Sequence, residues 1–440
     1  MTDKKMTDPQ ELAIPYPYHV SATDQYYDVS PTHEGKQPIT KKKKIRKSTP
    51  DQAKRKKLRI LITTFWDYPA VGGLQSYMAT LKTGLEKLGH KVEIIAPNQM
   101  SKDLKIKMTK KIVNETKQFY KKRYGSYSNE IVKEHRRLAC FELMLSNMDL
   151  EKYDIFHAQD RFTANILGRL NELYQKPLLF TPHGFMTQRR LTFNLIESGS
   201  IEEAYYLSMD KQAIESSDHI ITLCEAFRPM LKKLGANDRK ITTIYTGIDF
   251  KSVTVQKTQK TIITCISRLR PRKGHKYLFE ALDLLKKDLD NVDVWIVGDG
   301  EMRNELENQV KALRLNNVSF LGKRKDIVEL LCQSDIFVLP TTSDTLPIAI
   351  IEAMFANQAI ITTNQGGIRE IIEDHHSGLI AESGNSQQLA EKLSLLLSDP
   401  ALRKTLAKNA REFAEENLTS TNMVKRVEEI YQSFYKEEVK

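Results

Sequence analysis

Residues 58–97 read LRILITTFWDYPAVGGLQSYMATLKTGLEKLGHKVEIIAP and contain one complete strand–helix–strand unit. The apolar run at 58–65 is suited to a buried parallel strand, and 90–97 supplies a second strand. Between them, the glycine turn VGGLQ leads into a helical pattern over 76–89. Two such strands joined by a helix form the repeating unit of α/β folds, so this stretch predicts that class.

The same alternation recurs along the rest of the chain in two series. In the first series, further strands are predicted at 154–159, 177–184, 219–224 and 240–249. After a polar linker, the second series is predicted at 261–268, 292–300, 318–322, 335–340 and 359–363. A chain of 440 residues exceeds one ordinary core. We therefore expect two Rossmann-like lobes whose parallel sheets face each other across a cleft.

The composition along the chain predicts four parts. Residues 1–57 show no sustained period and are expected to be a disordered basic leader. Residues 58–249 form the first Rossmann-like domain, which includes a basic segment at 101–137. Residues 250–418 form the second. The helical pattern at 419–440 is expected to pack back on the first domain.

The positive charge is concentrated in two segments. The formal net charge is +11, yet residues 40–57 alone contribute +9 and residues 101–137 contribute +8. Such local basicity indicates an anionic surface partner rather than a uniformly basic fold. The N-terminus lacks an apolar signal region, and the four cysteines are scattered among apolar neighbours. These features predict a cytoplasmic protein with buried thiols.

Polar residues follow the predicted strands of the first series, and open parallel sheets bind ligands at that edge. Gly72-Gly73 precedes a helix, where a phosphate could approach the backbone, although a plain tight turn explains it equally well. His157, Asp160 and His183 follow two neighbouring strands. Two histidines could hold a metal, but no third ligand has suitable spacing. Hydrogen bonding to a polar substrate and a structural role both remain open.

The loop after the first strand of the second series is rich in cations. Arg268 and Lys273 lie five residues apart in SRLRPRKG, and a guanidinium with an ammonium suits a diphosphate. Arg270 and Arg272 are interpreted as a solvated face. The alternative is that the whole cluster is an ordinary surface loop.

A single acid interrupts the apolar stretch SDTLPIAIIEAMFA at 343–356. Pro347 fits the first turn of a helix, and Thr345 or Asp344 is the expected cap. Glu352 then lies in a helix built for burial, where an unpaired carboxylate costs several kcal/mol. Vicinal ribose hydroxyls would stabilise it as donors. An internal salt bridge with Arg or Lys is the alternative.

Taken together, these segments resemble the family 4 glycosyltransferases. SRLRPRKG, VGDGE, FVLP, LPIAIIEAM and GGIREIIEDHHSGLI carry the resemblance densely over 261–400. GGLQSYMATLKTGLEKLGHKVEII and TPHG carry it more loosely over 58–249, and it does not cover 1–57. Members of this family are retaining enzymes of the GT-B fold that use nucleotide-activated sugars.

The resemblance implies a role for each matching residue. Gly73 would present its backbone near the donor phosphates. His183 in TPHG would hydrogen-bond the transferred sugar. Arg268 and Lys273 would hold the diphosphate as it leaves, and Glu352 would bind the ribose.

The resemblance also implies how the donor site is completed and where the family pattern changes. The loop Leu346-Pro347-Ile348 would border the donor. The family usually has a glutamate where Asp344 stands, and that residue is implied to face the donor sugar or its phosphates. The shorter side chain leaves donor identity open. His157 and Asp160 are assigned to the acceptor side.

The sequence therefore predicts a retaining glycosyltransferase, with His183, Arg268, Lys273 and Asp344 as its catalytic residues. The donor is a nucleotide diphosphate sugar, with UDP favoured as the commoner nucleotide of the family, and the acceptor is a lipid-linked or cell-envelope glycan. No metal or other cofactor is expected. Attachment to the inner face of an anionic membrane is expected through 41–57 and 101–137.

Two other functional classes remain open from the sequence. The basic segments could bind a nucleic acid or another polyanion, although no nucleic-acid module is recognisable and no nucleic-acid partner is expected. A non-transferring GT-B relative, such as a sugar-nucleotide epimerase, is the other alternative, because Asp344 departs from the family pattern. The sugar, acceptor, linkage and oligomeric state are not readable from the sequence.

Overall fold

The structure is a computed structural model that describes residues 17–30 and 56–435. The chain divides into two compact units. The first holds the residues up to Thr222, residues 228–242 and the end of the chain from Val427. The second holds residues 223–227 and 243–426. Each unit is an α/β layered structure around its own sheet.

The first unit is built on a six-stranded sheet with the order β2-β1-β3-β4-β5-β6. Its strands are β1 (Arg59–Thr63), β2 (Lys91–Ile95), β3 (Ile155–Ala158), β4 (Leu178–Phe180), β5 (His219–Thr222) and β6 (Ile241–Thr243). The pairs from β2 to β5 are parallel. The strands are almost wholly buried apolar runs, as expected for a sheet covered by helices on both faces.

The helices of the first unit alternate with these strands. They are α1 (Val20–Tyr26), α2 (Gly73–Lys87), α3 (Lys102–Tyr124), α4 (Asn129–Ser146), α5 (Arg161–Tyr174), α6 (Met186–Thr192), α7 (Ile201–Ser216) and α8 (Arg228–Lys233). Within the part of the chain that the structure describes, no helix is both long and apolar enough to cross a lipid bilayer.

The second unit has a six-stranded sheet with the order β12-β11-β10-β7-β8-β9. Its strands are β7 (Thr261–Ile266), β8 (Val292–Val297), β9 (Val318–Gly322), β10 (Ile336–Leu339), β11 (Ala359–Thr363) and β12 (Leu379–Ala381). All of its strand pairs are parallel. Its helices are α9 (His275–Leu284), α10 (Arg303–Ala312), α11 (Ile327–Gln333), α12 (Ile348–Phe355), α13 (Ile368–Ile371), α14 (Ser386–Ser398), α15 (Pro400–Asn417) and the part of α16 (Ser420–Ser433) up to Arg426.

The predicted pair of parallel α/β layers is confirmed, with local differences. The strand predicted over 240–249 ends at Thr243, because the chain passes into the second unit there. A short strand, β12, follows the second predicted series and was not predicted. The division between the units falls at Thr242 instead of after Asp249.

The prediction that residues 1–57 are a disordered leader is wrong for residues 17–30. Helix α1 packs its buried side chains Val20, Thr23 and Asp24 against the first unit. Arg123 of α3 donates from Nε to Asp24 Oδ1 at 2.6 Å and from Nη2 to Asp24 Oδ2 at 2.8 Å. These long-range contacts stabilise the helix, and the periodicity of the sequence does not reveal them. Residues 1–16 and 31–55, including most of the basic run at 41–57, lie outside the described residues.

The predicted return of the C-terminal helix falls inside α16 rather than at 419. Residues up to Arg426 belong to the second unit and Val427 onward to the first. In the first unit, the Tyr431 hydroxyl lies 2.6 Å from His157 Nδ1. Gln432 donates to the Lys56 carbonyl at 2.8 Å. The end of the helix is therefore an integral part of the first unit.

Candidate active site

Each sheet has one point at which the strand order reverses. In the second sheet β7 and β10 are neighbours, while the chain runs from β7 toward β8 and from β10 toward β11 on the opposite side. In the first sheet the corresponding neighbours are β1 and β3. Open α/β sheets bind ligands beyond the carboxyl ends of the strands at such points. Most of the predicted site residues follow β7 and β10 in one sheet, and β1, β3 and β4 in the other, whereas His157 lies within β3.

The loop after β7 brings a lysine into a nearly buried position. A single 3₁₀ turn, Pro271–Lys273, leads into Gly274, which has a φ of 74° and opens α9. A Cβ at Gly274 would lie 1.9 Å from the carbonyl oxygen of Pro340, so only glycine fits. The side chain of Lys273 is 11% exposed. The close approach of the two loops thus fixes Lys273 beside the end of β10.

Asp344, which follows β10, pairs with two of these cations. The Lys273 ammonium donates to Asp344 Oδ2, and Arg272 Nη1 donates to Oδ1 at 2.8 Å. Burial alone would raise the pKa of Asp344, but the charges of Lys273 and Arg272 hold it below its usual value. Asp344 is therefore ionised and orients both cations.

Two expectations about this loop are wrong. Arg272 is not a solvated residue, because its guanidinium also donates to the carbonyl of Ser343 at 2.9 Å. Neither Asp344 nor Thr345 caps the next helix, since α12 begins after Pro347 without a side-chain cap. The carboxylate of Asp344 is used by the cations instead.

Arg268 is an exposed cation in the same loop. Partial burial, together with the positive charges of Arg270 and Arg272, lowers the pKa of Arg268 from its usual value. Mutual repulsion among guanidinium groups favours binding of an anion that neutralises them. This loop can therefore hold a polyanionic group such as a diphosphate.

Glu352 lies on α12 without a countercharge. The helix is apolar and buries Ile351, Ala353 and Met354, while Glu352 is partly exposed. No described Lys or Arg lies within ion-pair distance of its carboxylate. Burial raises the pKa of Glu352 to about 7. An acid in this state is stabilised by any ligand that brings hydrogen-bond donors.

The loop before α12 supplies an apolar border. Leu346 and Pro347 are buried, and Ile348 is partly exposed. The carbonyl oxygen of Thr345 accepts a hydrogen bond from the N–H of Gly367 at 2.8 Å, which fixes the loop against the end of β11. The structure thus holds the predicted donor-side residues of β7 and β10 on one edge of the second sheet.

His183 and Gly73 occupy the corresponding edge of the first sheet. Gly73 is the first residue of α2, which has no side-chain cap. His183 follows β4, and its ring packs edge-on against Tyr77 of α2 with a centroid distance of 4.9 Å. Its Nε2 lies 3.0 Å from Oε1 of Gln159. Burial lowers the pKa of His183 to about 3, so the imidazole is neutral.

The two predicted acceptor-side residues have structural roles instead. His157 is fully buried in β3, and its two ring nitrogens contact the Tyr431 hydroxyl and, at 2.7 Å, the Thr181 hydroxyl. Asp160 caps α5 by accepting from the N–H of Thr163 at 2.9 Å, and it also accepts from the N–H of Phe65 at 2.6 Å. Both side chains are used within the first unit, so neither is available to an acceptor as placed.

Two residues of these edges were missed by the sequence analysis. Gln159 follows β3 directly and contacts His183. Arg272 shares Asp344 with Lys273. Position at a strand end was a usable signal for Gln159, because the same reasoning had selected its neighbours. Nothing in the local sequence separates Arg272 from Arg270.

Among the described residues, no group of three or more His, Cys, Asp or Glu side chains is arranged to hold a metal ion. The cationic loop and Glu352, a carboxylate without a side-chain partner among the described residues, both lie at the edge of the second sheet. These features suit a ligand that joins an anionic group to hydrogen-bond donors such as hydroxyl groups.

Comparison with known families and proteins gives the class of this fold and site. The model of the family described as "Glycosyltransferase Family 4" matches residues 71–252, and that of "Glycosyl transferases group 1" matches residues 248–413. Solved structures share the fold at low sequence identity. Anabaena HepE in complex with UDP-glucose has a TM-score of 0.64 and 18% identity, covering 86% of this chain and 100% of that chain. WaaG, a glycosyltransferase involved in lipopolysaccharide biosynthesis, has a TM-score of 0.64 and 17% identity, covering 84% and 99%.

The chain belongs to the family 4-like glycosyltransferases of the GT-B fold. A similar relative is the N,N'-diacetylbacillosaminyl-diphospho-undecaprenol alpha-1,3-N-acetylgalactosaminyltransferase of Campylobacter jejuni. It is 35% identical over 204 residues, which are 44% of this chain and 53% of that protein, so the match spans about half of its length. The UDP-Gal:alpha-D-GlcNAc-diphosphoundecaprenol alpha-1,3-galactosyltransferase of Escherichia coli is 29% identical over 64% of this chain and 74% of its own length.

Proposed function

We propose that this protein transfers a sugar from a nucleotide diphosphate sugar, with UDP as the nucleotide, to a glycan carried on a lipid diphosphate, with retention of anomeric configuration. The observation that carries the proposal is the pairing of features at the β7–β10 edge. Lys273, Arg272 and Arg268 form a cluster of cations that can bind an anion, and Glu352 is an acid with no ion-pair partner among the described residues. The two similar curated relatives, which act on undecaprenol-diphosphate-linked sugars by name, support the acceptor class.

The donor's diphosphate is assigned to the cationic loop. A diphosphate needs fixed positive charge, and Lys273 is held in place by Asp344 before any ligand arrives. The leaving group gains negative charge as the bond to the sugar breaks. Fixed cations then stabilise the transition state more than the ground state. These protein cations can neutralise the leaving group, so we propose that the reaction proceeds without a metal ion.

The nucleoside is assigned to α12. Two ribose hydroxyls can each donate a hydrogen bond to the Glu352 carboxylate, and bonds to a charged group contribute about 1.5–3 kcal/mol each. Binding would therefore favour the ionised form of an acid whose pKa is about 7 without ligand. The buried loop at Leu346 and Pro347 would border the donor on its apolar side.

Membrane attachment is proposed through α3. The helix buries Met108, Ile112 and Tyr120 in the core, and it also carries exposed lysines and Ile106, which is 71% exposed. Each basic residue near an anionic bilayer contributes about 1 kcal/mol, so such a face suffices for reversible binding. The acceptor class, a lipid-linked glycan, would lie at that same membrane surface.

The donor assignment is tested by calorimetry and thermal shift with UDP-, GDP- and ADP-sugars. We expect a UDP-sugar to bind and stabilise the wild-type protein, and Glu352→Ala and Lys273→Ala to lose at least about tenfold in affinity, which is about 1.4 kcal/mol. Glu329→Ala and Lys276→Ala, at exposed positions of α11 and α9, serve as matched controls. Absence of binding by every nucleotide sugar would refute the proposal.

The acceptor and mechanism are tested by product analysis. We expect transfer to an undecaprenyl-diphosphate-linked sugar, an unchanged rate after a chelator is added, and a product whose anomeric configuration by NMR matches that of the donor. An inverted product would refute retention. Restoration of a chelator-sensitive rate by a divalent ion would refute metal independence.

A further inference from the structure

A cavity opens in the first unit beside the chain segment that follows β4. It has a volume of about 560 Å³ and is lined by residues from the start of α4, from α6, from the loop at 193–200 and from the start of α7. This volume falls within the range of small-molecule sites, which is about 300–1,000 Å³. Segments that follow the strands of open parallel sheets are also where such folds bind ligands. The cavity is therefore a candidate binding site.

Apolar side chains form one wall of this cavity. Met186 is half-buried, and Ile196 is buried in the core of the first unit. Leu195 also lines the cavity but is 68% exposed. Its backbone N–H donates to the carbonyl of Arg190 at 2.8 Å, which holds the leucine in this position. A ligand that covers Leu195 would remove apolar surface from water, and that removal favours binding.

Fixed hydrogen-bond acceptors form the other wall. Arg190 Nη1 donates to Glu130 Oε1 at 3.0 Å, and the Tyr206 hydroxyl donates to the same oxygen at 3.2 Å. Burial alone would raise the pKa of Glu130, but the hydrogen bond from Arg190 lowers it overall, so the carboxylate is ionised. Glu202 accepts from the hydroxyl of Ser128, which caps α4. An ionised carboxylate offers about four acceptor positions, so both groups can accept further bonds from hydroxyl donors.

The loop between α6 and α7 is held in place by its own hydrogen bonds. Ser200 caps α7 by accepting from the N–H of Glu203 at 3.2 Å, and Glu203 accepts from the N–H of Gly199 at 2.6 Å. The Ser200 hydroxyl also donates to the carbonyl of Glu197 at 2.6 Å. A loop that is ordered in advance loses less conformational entropy when a ligand binds.

The charges around the cavity favour a neutral ligand. Glu130, Glu197 and Glu202 contribute three carboxylates, against two guanidinium groups from Arg189 and Arg190. The excess of one negative charge disfavours a phosphate or a uronic acid through like-charge repulsion. A cation gains little, because Arg190 already pairs with Glu130. A sugar ring suits both walls, since it has hydroxyl donors at its edge and an apolar face.

We propose that this cavity binds a neutral sugar of the acceptor glycan, with its hydroxyl groups donating to Glu130 and Glu202 and an apolar ring face packed on Leu195. This inference rests on the proposed function, because it takes the acceptor to be a glycan. It adds where the first unit holds that glycan, and it adds that acidic sugars are disfavoured there.

The first test reads binding directly, without any activity. In protein with ¹³C-labelled Met, Ile and Leu methyl groups, methyl N-acetylglucosaminide and methyl galactoside should shift the signals of Met186, Leu195 and Ile196 at millimolar concentrations. Methyl glucuronide should bind at least about fivefold more weakly, because it carries a carboxylate. The absence of these shifts with both neutral glycosides would overturn the proposal, and so would an equal affinity for the glucuronide.

Matched variants show whether the shifts report this cavity. Leu195→Ala and Glu202→Gln should each weaken binding of the neutral glycosides by at least about threefold, because each removes part of one wall. Leu173→Ala and Glu172→Gln, at exposed neighbouring positions of α5, are the controls and should leave binding unchanged. Equal affinity in the cavity variants and in the controls would overturn the proposal.

The second test uses the kinetics of transfer to the lipid-linked acceptor. In the double variant Leu195→Ala/Glu202→Gln, the Michaelis constant for the acceptor should rise at least about tenfold, which is about 1.4 kcal/mol. Both kcat and the Michaelis constant for the donor should stay within about twofold, because only acceptor binding is weakened. An unchanged Michaelis constant for the acceptor would overturn the proposal. If the wild type binds the glycosides but transfers no sugar, that result would instead count against the proposed function.

Discussion

Glu352 is an acid that is held in apolar surroundings and has no countercharge among the described residues. Its pKa of about 7 lies above the usual 4.5. The folded protein therefore keeps the proton over a range in which the unfolded chain releases it. In that range, between about pH 4.5 and 7, stability falls as pH rises, and above it the full loss remains. The residue thus lowers the stability of the ligand-free protein, which is typical of a functional site.

We predict that Glu352→Gln stabilises the ligand-free protein and weakens donor binding. At about pH 8 the free energy of unfolding should rise by about 1–2 kcal/mol, because a partly desolvated charge without a countercharge is removed. The affinity for UDP should fall at least tenfold and lose its increase between about pH 6 and 8, because an amide does not ionise. Urea unfolding and calorimetry measure the two effects. A variant with wild-type affinity and pH dependence would contradict the ribose assignment, and Glu329→Gln is the control.

Asp344 both orders and neutralises the cations that are assigned to the diphosphate. Its carboxylate therefore competes with a bound diphosphate for Lys273. Replacing it should affect binding and turnover in opposite directions.

We predict that Asp344→Asn binds UDP more tightly while kcat falls. Removing one negative charge near the ligand is worth about 1 kcal/mol in a high-dielectric setting, which is about fivefold in affinity. The gain should shrink when salt is raised to about 0.5 M. The rate should drop because Lys273 and Arg272 lose their orientation. Calorimetry at two salt concentrations and steady-state kinetics check both parts. UDP binding that is unchanged or weaker would contradict competition by Asp344.

At the residue scale, the sequence predicted the site residues that differ in chemistry from their neighbours along the chain. Glu352 and Lys273 stood out because a lone acid in an apolar helix and a cation in a strand-end loop are visible in the sequence itself. The roles of Arg272 and Gln159 depend on partners 72 and 24 residues away. His157 and Asp160 were chosen by position alone, and their actual partners, such as Tyr431, could not be read from that position.

At the element scale, α1 shows how a short polar segment becomes part of the fold. Together with Tyr18 and His19, which precede it, the helix contacts α3, α4, α5 and α7 through a few side chains. Tyr18 donates to Glu142 of α4 at 2.6 Å, and the Arg169 guanidinium of α5 lies 4.2 Å from the Tyr18 ring centroid. His19 Nδ1 lies 3.1 Å from the Ser208 hydroxyl of α7. A segment of this length is not stable as an isolated helix, so tertiary contacts stabilise it.

We predict that Asp24→Asn destabilises the first unit by about 2–3 kcal/mol. Burial would raise the pKa of Asp24, but the hydrogen bonds from Arg123 and Tyr124 lower it overall, so the ionised form is the stabilising one. Removing its charge leaves Arg123 partly buried without a carboxylate. Asp28→Asn is the matched control, because Asp28 is exposed and asparagine tolerates its φ of 51°. Urea unfolding and protease cleavage near α1 measure the effect, and equal stability of the two variants would contradict it.

The alternation of strands and helices was predictable because strands buried on both faces are continuous apolar runs. Most strands of the two series follow such runs, although β2 and β9 are partly exposed, and β12, of only three residues, did not show a recognisable signal. The basic segment at 101–137 was expected to be helical, and it forms α3 and the first half of α4. Helix α3 ends before Gly125, which has a φ of 73°, a conformation that commonly ends helices. The charge pattern of the segment gave no indication of this end.

At the scale of the whole molecule, the positive charge is concentrated in two segments of the chain. The net charge is +11, but the two basic segments together carry more than that, and the rest of the chain is acidic. On α3 five lysines are exposed, and two of them, Lys110 and Lys121, fall opposite the buried Met108 and Ile112 at 3.6 residues per turn. A uniform excess of charge would serve solubility, whereas one basic face serves attraction to a single kind of surface.

We predict that the lysines of α3 control binding to anionic vesicles. Five exposed lysines of this helix are to be replaced together by glutamine, namely Lys102, Lys105, Lys110, Lys121 and Lys122. At about 1 kcal/mol for each residue near the surface, the partition constant should fall by at least about a hundredfold. Vesicle flotation with phosphatidylglycerol-containing and neutral lipids measures the change.

The control tests whether position matters more than net charge. Five exposed lysines of the second unit are replaced in the same way, namely Lys276, Lys287, Lys311, Lys323 and Lys404. This control loses the same formal charge, so a long-range effect of net charge alone would weaken both variants equally. If the lysines of α3 bind the membrane locally, only the α3 variant should lose binding to anionic vesicles. Raised salt should also release the wild type from the vesicles, because the Debye length shortens. Equal binding by both variants would show that α3 does not mediate attachment. Negligible binding of the wild type to anionic vesicles would show that the basic face serves another partner.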